Sequence, residues 1–243
     1  MQLSFIVPAY NEEGLLDACL QSIDYSVKHS RDSGEVINAE IIVVDNNSTD
    51  ATAEIARRAG AIVVFEPVNQ ISRARNAGTK VASGDWLIFI DADSQLNREL
   101  LCEVIHGIKT NRYMGFGSII AIDGLPFWGR LLAQFWSWLS TTFSWAAGAF
   151  VVCEKQAFRT LGGFSTELYA AEEVEFSQRI NKLARKQGKS FKIFTSHPLQ
   201  SSNRKLALYS DWEMFKQIAR LSVRPRKSLR DKKALDVWYD GRR

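Results

Sequence analysis

A chain of 243 residues with 46% hydrophobic and 24% charged side chains has ordinary globular composition, which excludes a disordered or fibrous polymer and leaves room for a sizeable core. Its three cysteines, Cys19, Cys102 and Cys153, are odd in number, far apart and form no CxxC pair, so a disulfide framework and a zinc site are set aside and a reducing, cytosolic setting is expected. The net charge of +4 is concentrated late, with nine Lys or Arg against three Asp between residues 220 and 243, and such an excess suits an anionic partner.

The opening MQLSFIVPAYNEE has no basic region ahead of its apolar residues, so a secretion signal is not expected. Leu3 to Val7 reads as a strand stopped by Pro8, and Leu15, Leu16, Cys19, Leu20 and Ile23 recur at helical spacing. Ile41 to Val44 is a β-branched strand ending at Asp45. Asn46, Asn47, Ser48 and Asp50 then offer helix-start chemistry before AEIARRA, with Gly60 as a stop. Ala61 to Phe65 is a third strand, Ser72 to Ala82 a helix, and Trp86 to Ile90 a fourth strand. Strands apolar on both faces and separated by single helices predict parallel βαβ units. Further on, Asn97 caps a helix to Thr110, and Met114 to Ile122 is a strand within which Gly115-Phe116-Gly117 is structural. An aromatic stretch follows, then Gly148 to Val152, a short helix, Gly162-Gly163-Phe164, an acidic helix start at Glu172, a strand over Phe191 to Thr195 and a basic amphipathic tail.

Open parallel sheets bind ligands beyond the carboxyl ends of their strands. Polar clusters fall there after three of the first four strands: Ala9-Tyr10-Asn11-Glu12, Asp45-Asn46-Asn47-Ser48 and Asp91-Ala92-Asp93. In extended chain, residues i and i+2 point the same way, so Asp91 and Asp93 can face one site. Adjacent carboxylates repel unless a cation lies between them, and hard oxygen donors suit Mg²⁺ or Mn²⁺ shared with a diphosphate.

FIVPAYNEE, VVDNNSTDAT, ISRARNAGTKVASGDWLIFIDADS and GAFVVCEKQAFRTLGGFSTELYAAEEVEFSQRI, in this order, closely resemble family 2 glycosyltransferases of the GT-A fold over roughly residues 2–205. The resemblance implies inverting, metal-dependent transfer of a sugar from a nucleotide-sugar to an acceptor hydroxyl. It implies a Rossmann-type α/β fold, mostly parallel with helices on both sheet faces, divided as 1–110 for nucleotide binding and 111–205 for acceptor and catalysis, with 206–243 a basic helical tail. It places Pro8, Tyr10 and Glu12 around the nucleotide, Asp45 at its base, Arg73 and Arg75 near it, Asp91 by the ribose and Asp93 on the metal. In the family's acidic motif the second acid is usually Asp and acts as base; that position here is Glu173, with Glu172 as the fallback. His197 becomes a third metal ligand, and Arg204 or Lys205 a diphosphate clamp. The donor expected by default is a UDP-sugar, and the acceptor is unassigned.

Residues 131–153 carry no charge, yet Gln134, three serines and two threonines interrupt them, so a membrane span is not expected. Over Phe127 to Trp145 the tryptophans fit either an amphipathic helix lying on a bilayer or a core or oligomer-contact helix. With the basic tail, the first alternative gives peripheral contact through 127–145 at the cytoplasmic face of a membrane and a lipid-linked acceptor. Two rivals stay open: a nucleotidyltransferase on a related sheet, and a non-catalytic sugar-nucleotide sensor. Nucleic-acid binding is set aside because no recognition motif accompanies the basic charge.

Overall fold

Apolar, β-branched runs become strands and the amphipathic segments between them become helices, in a computed structural model that describes residues 1–146, 148–204 and 229–231. The first half alternates strictly: β1 (Gln2–Ala9), α1 (Leu16–Asp32), β2 (Asn38–Asp45), α2 (Thr52–Arg58), β3 (Ile62–Phe65), α3 (Ile71–Val81) and β4 (Trp86–Ile90). The second half adds β5 (Ser94–Gln95), α4 (Arg98–Lys109), β6 (Tyr113–Ile122), α5 (Phe127–Phe143), β7 (Phe150–Glu154), α6 (Lys155–Leu161), α7 (Glu172–Lys186) and β8 (Ser190–Ser201). Asn97 caps α4 as expected, its side chain accepting the Leu100 N–H at 2.8 Å. Gly60 follows α2 with φ of +77°, a conformation that costs glycine little.

One eight-stranded sheet of order β3-β2-β1-β4-β7-β6-β8-β5 runs through both halves. The β3-β2-β1-β4 part is parallel, and β7 is inserted antiparallel between β4 and β6. Both faces are covered. Along β4, Trp86, Ile88 and Ile90 enter one core with α1 and α4, while Leu87 and Phe89 enter a second core with α3, α6 and α7. The chain ends of β1, β2 and β4 lie on one edge, because Ala9 pairs with Asp45 and Ile6 with Phe89. Antiparallel pairing of Ile90 with Phe150 brings Gly148 and Ala149 to that same edge, where the Asp91 N–H donates to Ala149 O.

Two boundaries differ from expectation. Gly148 has φ of +57° and β7 begins only at Phe150. β8 does not stop at Thr195 but continues through His197 and Pro198 to Ser201, with a register irregularity opposite Ser118 to Ile120 that absorbs a residue unable to donate to the ladder. Among the described residues no helix is long and apolar enough to cross a membrane. Lys205 and the tail, apart from 229–231, lie outside the described residues.

Gly115 is required by close approach rather than by its backbone angles. A Cβ there would stand 2.5 Å from Val152 O, in the middle of the β6–β7 pairing. Gly115→Ala is expected to lower unfolding free energy by about 1–3 kcal/mol, as overpacked cores do. A urea titration at constant slope measures it; an unchanged midpoint would contradict the packing argument.

Candidate active site

At the rim where β1, β2 and β4 end lies a cleft of about 320 Å³, lined by Pro8, Tyr10 and Glu12 after β1, Asp91 and Asp93 after β4, and Glu172 and Glu173 at the start of α7. Arg75 organises it. Its side chain is 1% exposed, and it donates from Nη1 to Glu172 Oε1 at 2.9 Å and from Nη2 to Asp91 Oδ1 at 2.8 Å and Gly148 O at 3.1 Å. The guanidinium also lies 5.4 Å from the centroid of the Phe164 ring. Burial alone would lower its pKa, but Asp91 first and then Glu172 outweigh burial and raise it, so the cation is permanent.

The helix that supplies Arg75 also explains why Arg73 does not join it. Residues two apart on a helix face different ways, and Ser72, Arg75 and Gly78 are buried together while Arg73 is exposed. Arg73 donates to Gln70 Oε1 and lines a separate groove with Lys80, Lys155 and Arg159. Of the two arginines expected near a nucleotide, only Arg75 lies at this cleft.

The acids after residue 171 sort themselves by partner. Glu175 pairs with Arg179 one helical turn on, at 2.6 Å, and Glu172 pairs with Arg75, so the arginine hydrogen bonds leave Glu173 facing the cleft. Burial, then the charge of Glu173, pushes the Glu172 carboxyl up to about 8 against the pull of Arg75. Burial also raises Glu173, again opposed by Arg75. Ser177 fixes the Glu173 backbone, donating from Oγ to Glu173 O at 2.6 Å while accepting the Ala146 N–H at 2.9 Å.

The loops around the cleft are tied together by side chains that the sequence pattern did not single out for this work. Asn11, at φ of +52°, accepts the Thr49 N–H on Oδ1, and the Glu12 N–H donates to Thr52 Oγ1, lacing the two loops after β1 and β2. Asn46 donates to Glu66 O and Val68 O and accepts the Gln70 N–H; Gln70 in turn donates to Thr166 O and Leu168 O. A chain of amides thus runs from β2 to the loop before Glu172. Only the polar composition of these loops hinted at it.

Two further expectations change. Asp45 is buried and accepts the Ser48 N–H on Oδ1 at 2.9 Å, closing the turn, while its neighbour Asn46 lines the cleft. His197 sits within β8, with Nδ1 3.4 Å from Glu103 of α4, and lines a different groove; it is not brought to Asp91 and Asp93 because the strand continues past it. Arg204 does reach the rim, donating to Glu12 Oε1 at 2.7 Å. Burial would lower its pKa, but the bond to Glu12 outweighs this and raises it.

The donor set suits a hard cation. Asp91 and Asp93 are both carboxylates in the cleft wall, and among the described residues no group of three or more His, Cys, Asp or Glu could enclose a metal by itself. Remaining ligands must then come from a bound molecule or water, as is usual for Mg²⁺ beside phosphates. The concentration of negative charge is visible at buried Cys19, whose thiol is pushed up by burial first and then by Asp93, Asp91 and Glu12.

The model of the family described as "Glycosyl transferase family 2" matches residues 4–164. A dolichol-phosphate mannosyltransferase of Pyrococcus furiosus is 30% identical over 143 residues, covering 55% of this chain and 39% of the relative. A 4,4'-diaponeurosporenoate glycosyltransferase of Staphylococcus haemolyticus is 36% identical over 125 residues, covering 48% of this chain and 31% of the relative. The aligned region therefore spans well under half of these relatives. Among solved structures, a mannosyltransferase from Pyrobaculum calidifontis in complex with GDP-Man and Mn²⁺ superposes with TM-score 0.67 at 22% identity, covering 98% of this chain and 67% of that one. The TarS protein of S. aureus in complex with UDP-GlcNAc gives 0.62 at 20% identity, covering 91% and 65%. At such identities the two structures share the fold, which is GT-A as the resemblance implied.

Replacing Arg75 by Met leaves Asp91 and Glu172 without their buried cation and is expected to cost about 3–5 kcal/mol. Arg75→Lys is expected to recover little, since one ammonium cannot span two carboxylates and a carbonyl as a guanidinium fork does. Chemical denaturation of both variants checks this. A cost below about 1 kcal/mol, the range of surface pairs, would show that the clamp is peripheral.

Proposed function

The chain belongs to glycosyltransferase family 2, and we propose that it moves a glycosyl unit from a nucleotide-diphosphate sugar to an acceptor hydroxyl with inversion at the anomeric carbon. One observation carries this reading: Asp91 and Asp93 after β4 and Glu173 on α7 line the same cleft, and a single buried arginine ties Asp91 to Glu172 at the start of α7. Metal-side and proton-accepting carboxylates sharing one cleft are what a displacement between a diphosphate and a hydroxyl requires.

Pro8, Tyr10 and Glu12 would receive the nucleotide, and Arg204, paired with Glu12, would offer its charge to a diphosphate. Asp93, with the Asp91 oxygen not engaged by Arg75, would hold a divalent ion, and Mn²⁺ is the natural choice given the cation bound in the mannosyltransferase complex. Such an ion supplies positive charge to the departing nucleoside diphosphate. Glu173 accepts the acceptor's proton as the hydroxyl oxygen bonds to C1 and the C1–O bond to phosphate breaks, the electron pair leaving with the diphosphate. Burial raises its pKa against the pull of Arg75, which makes the ionised carboxylate a stronger base than an exposed one. Glu172 serves as the partner of Arg75 and holds α7 in place. Glutamate in place of aspartate adds one methylene, and the left-handed backbone at Ala171 (φ +59°) sets where α7 begins and so how far that longer side chain reaches. UDP-sugars remain the default donor, and GDP-sugars are the second class to test.

The test pairs binding with turnover. UDP and GDP, each with Mn²⁺, should raise the melting temperature for one base, corresponding to about 2.7 kcal/mol at a hundredfold excess over Kd. Asp93→Asn is expected to abolish that shift, whereas Glu173→Gln retains it while release of nucleoside diphosphate from the matching nucleotide-sugar falls by about 10²–10⁴. Full turnover in Glu173→Gln, with the loss appearing in Glu172→Gln instead, would reassign the base. No shift with either nucleotide would remove the donor site itself.

A further inference from the structure

Helix α5 is amphipathic in the wrong sense for a free surface. The residues it turns inward are small, with Gly129 and Ser140 buried and Ala133 and Ser137 partly covered. Its large apolar side chains point out: Leu131, Phe135 and Trp138 are 51%, 57% and 57% exposed. A soluble surface rarely tolerates a contiguous apolar patch of this kind without an occupant. The same helix also forms part of the cleft, since Trp136 lines it alongside Tyr169 and Glu173. The apolar face and the mouth of the site are therefore continuous.

The described part of a basic stretch of sequence, residues 229–231, reaches that mouth. Between residues 220 and 233 seven residues are Lys or Arg and one is Asp. Leu229, in the middle of this run, lines the cleft and accepts the Tyr169 N–H at 2.8 Å, and its neighbour Arg230 pairs with Glu167 at 2.9 Å. Arg130, the one charged residue of α5, is exposed. A twofold contact between copies sets a patch against itself, and here it would bring Arg130 and Arg230 toward their own equivalents. A bilayer with anionic headgroups satisfies both features, because indoles and phenyl rings settle at the interface while arginines meet lipid phosphates.

We propose that α5 docks this chain on an anionic phospholipid bilayer, with the cleft mouth against the membrane, so that the acceptor is a hydroxyl carried by a lipid-anchored molecule. This rests on the transfer reaction proposed above for the identity of the site. The docking itself stands on the exposed apolar face of α5 and on Arg130 and Arg230.

Flotation of the full chain with phosphatidylcholine vesicles containing about a third phosphatidylglycerol tests it, beside vesicles of phosphatidylcholine only. The wild type should float with the anionic vesicles, and Leu131→Ser/Phe135→Ser/Trp138→Ser should reduce the bound fraction by about tenfold or more, as expected when interfacial apolar area is removed. Phe135→Ser alone, a milder change, should give a smaller loss in the same direction. The nucleotide-induced melting shift, measured on the same samples, should be unaltered in both variants. Wild type that stays at the bottom of the gradient, or a triple variant that floats equally well, overturns the proposal. So does a dimer in light scattering that the triple variant converts to monomer, since α5 would then be a contact between copies. Loss of the nucleotide shift in the wild type would sink the transfer reading while leaving the flotation result to stand or fall separately.

Discussion

The guanidinium of Arg75 is the constraint on which the rest of the site depends. A charge that is 1% exposed would be prohibitive without partners, and its partners come from three separate parts of the chain: Asp91 after β4, Gly148 before β7 and Glu172 at the start of α7. Each partner is held because a buried cation needs counter-charge and acceptors, and the two terminal nitrogens of Arg75 find theirs only when all three are in place. Gly78, one turn along α3, has no room for a side chain, since a Cβ there would stand 2.6 Å from Ile6 Cγ2. Close packing of α3 on the sheet thus forces Arg75 inward.

Around that clamp, precision comes from neutral hydrogen bonds rather than from charge. The amides of Asn46 and Gln70 carry position from the end of β2 to the loop that delivers Glu173, and Asn76 does the same at Phe164, donating to its carbonyl and accepting its N–H. Gly163 beside it has φ of +78°, and a Cβ would meet Asn76 Oδ1 at 2.7 Å, so this corner admits only glycine. These bonds are individually worth only about 1 kcal/mol, but they fix loops that have no regular structure. Rigid walls with one cluster of like charge are what a site needs if cations and phosphates are to complete it.

Much of this was legible in the sequence. Apolar runs broken by polar clusters located the carboxyl ends of β1, β2 and β4, and the i, i+2 rule put Asp91 and Asp93 on one wall. Helical spacing could also have separated Arg73 from Arg75, and Glu175 from Glu173, since Glu175 and Arg179 are one turn apart. Other features were not legible. That Asn46 joins loops instead of capping α2 depends on the β2–β3 register, and that β8 runs through Pro198 depends on a register irregularity against β6. The aromatic helix read equally as core or as surface because its composition is the same either way. Burial of Gly129 and Ser140 against exposure of Leu131, Phe135 and Trp138 decides for the surface.

The proposed reaction requires phosphates to bind where carboxylates gather, and not in the more basic groove lined by Arg73, Lys80, Lys155 and Arg159. Anomalous diffraction from crystals grown with MnCl₂ and the stabilising nucleoside diphosphate tests this directly. A manganese peak between the Asp93 carboxylate and the diphosphate is expected, with the nucleoside against Pro8 and Tyr10. A nucleotide seated in the basic groove, with no manganese at Asp93, would contradict it.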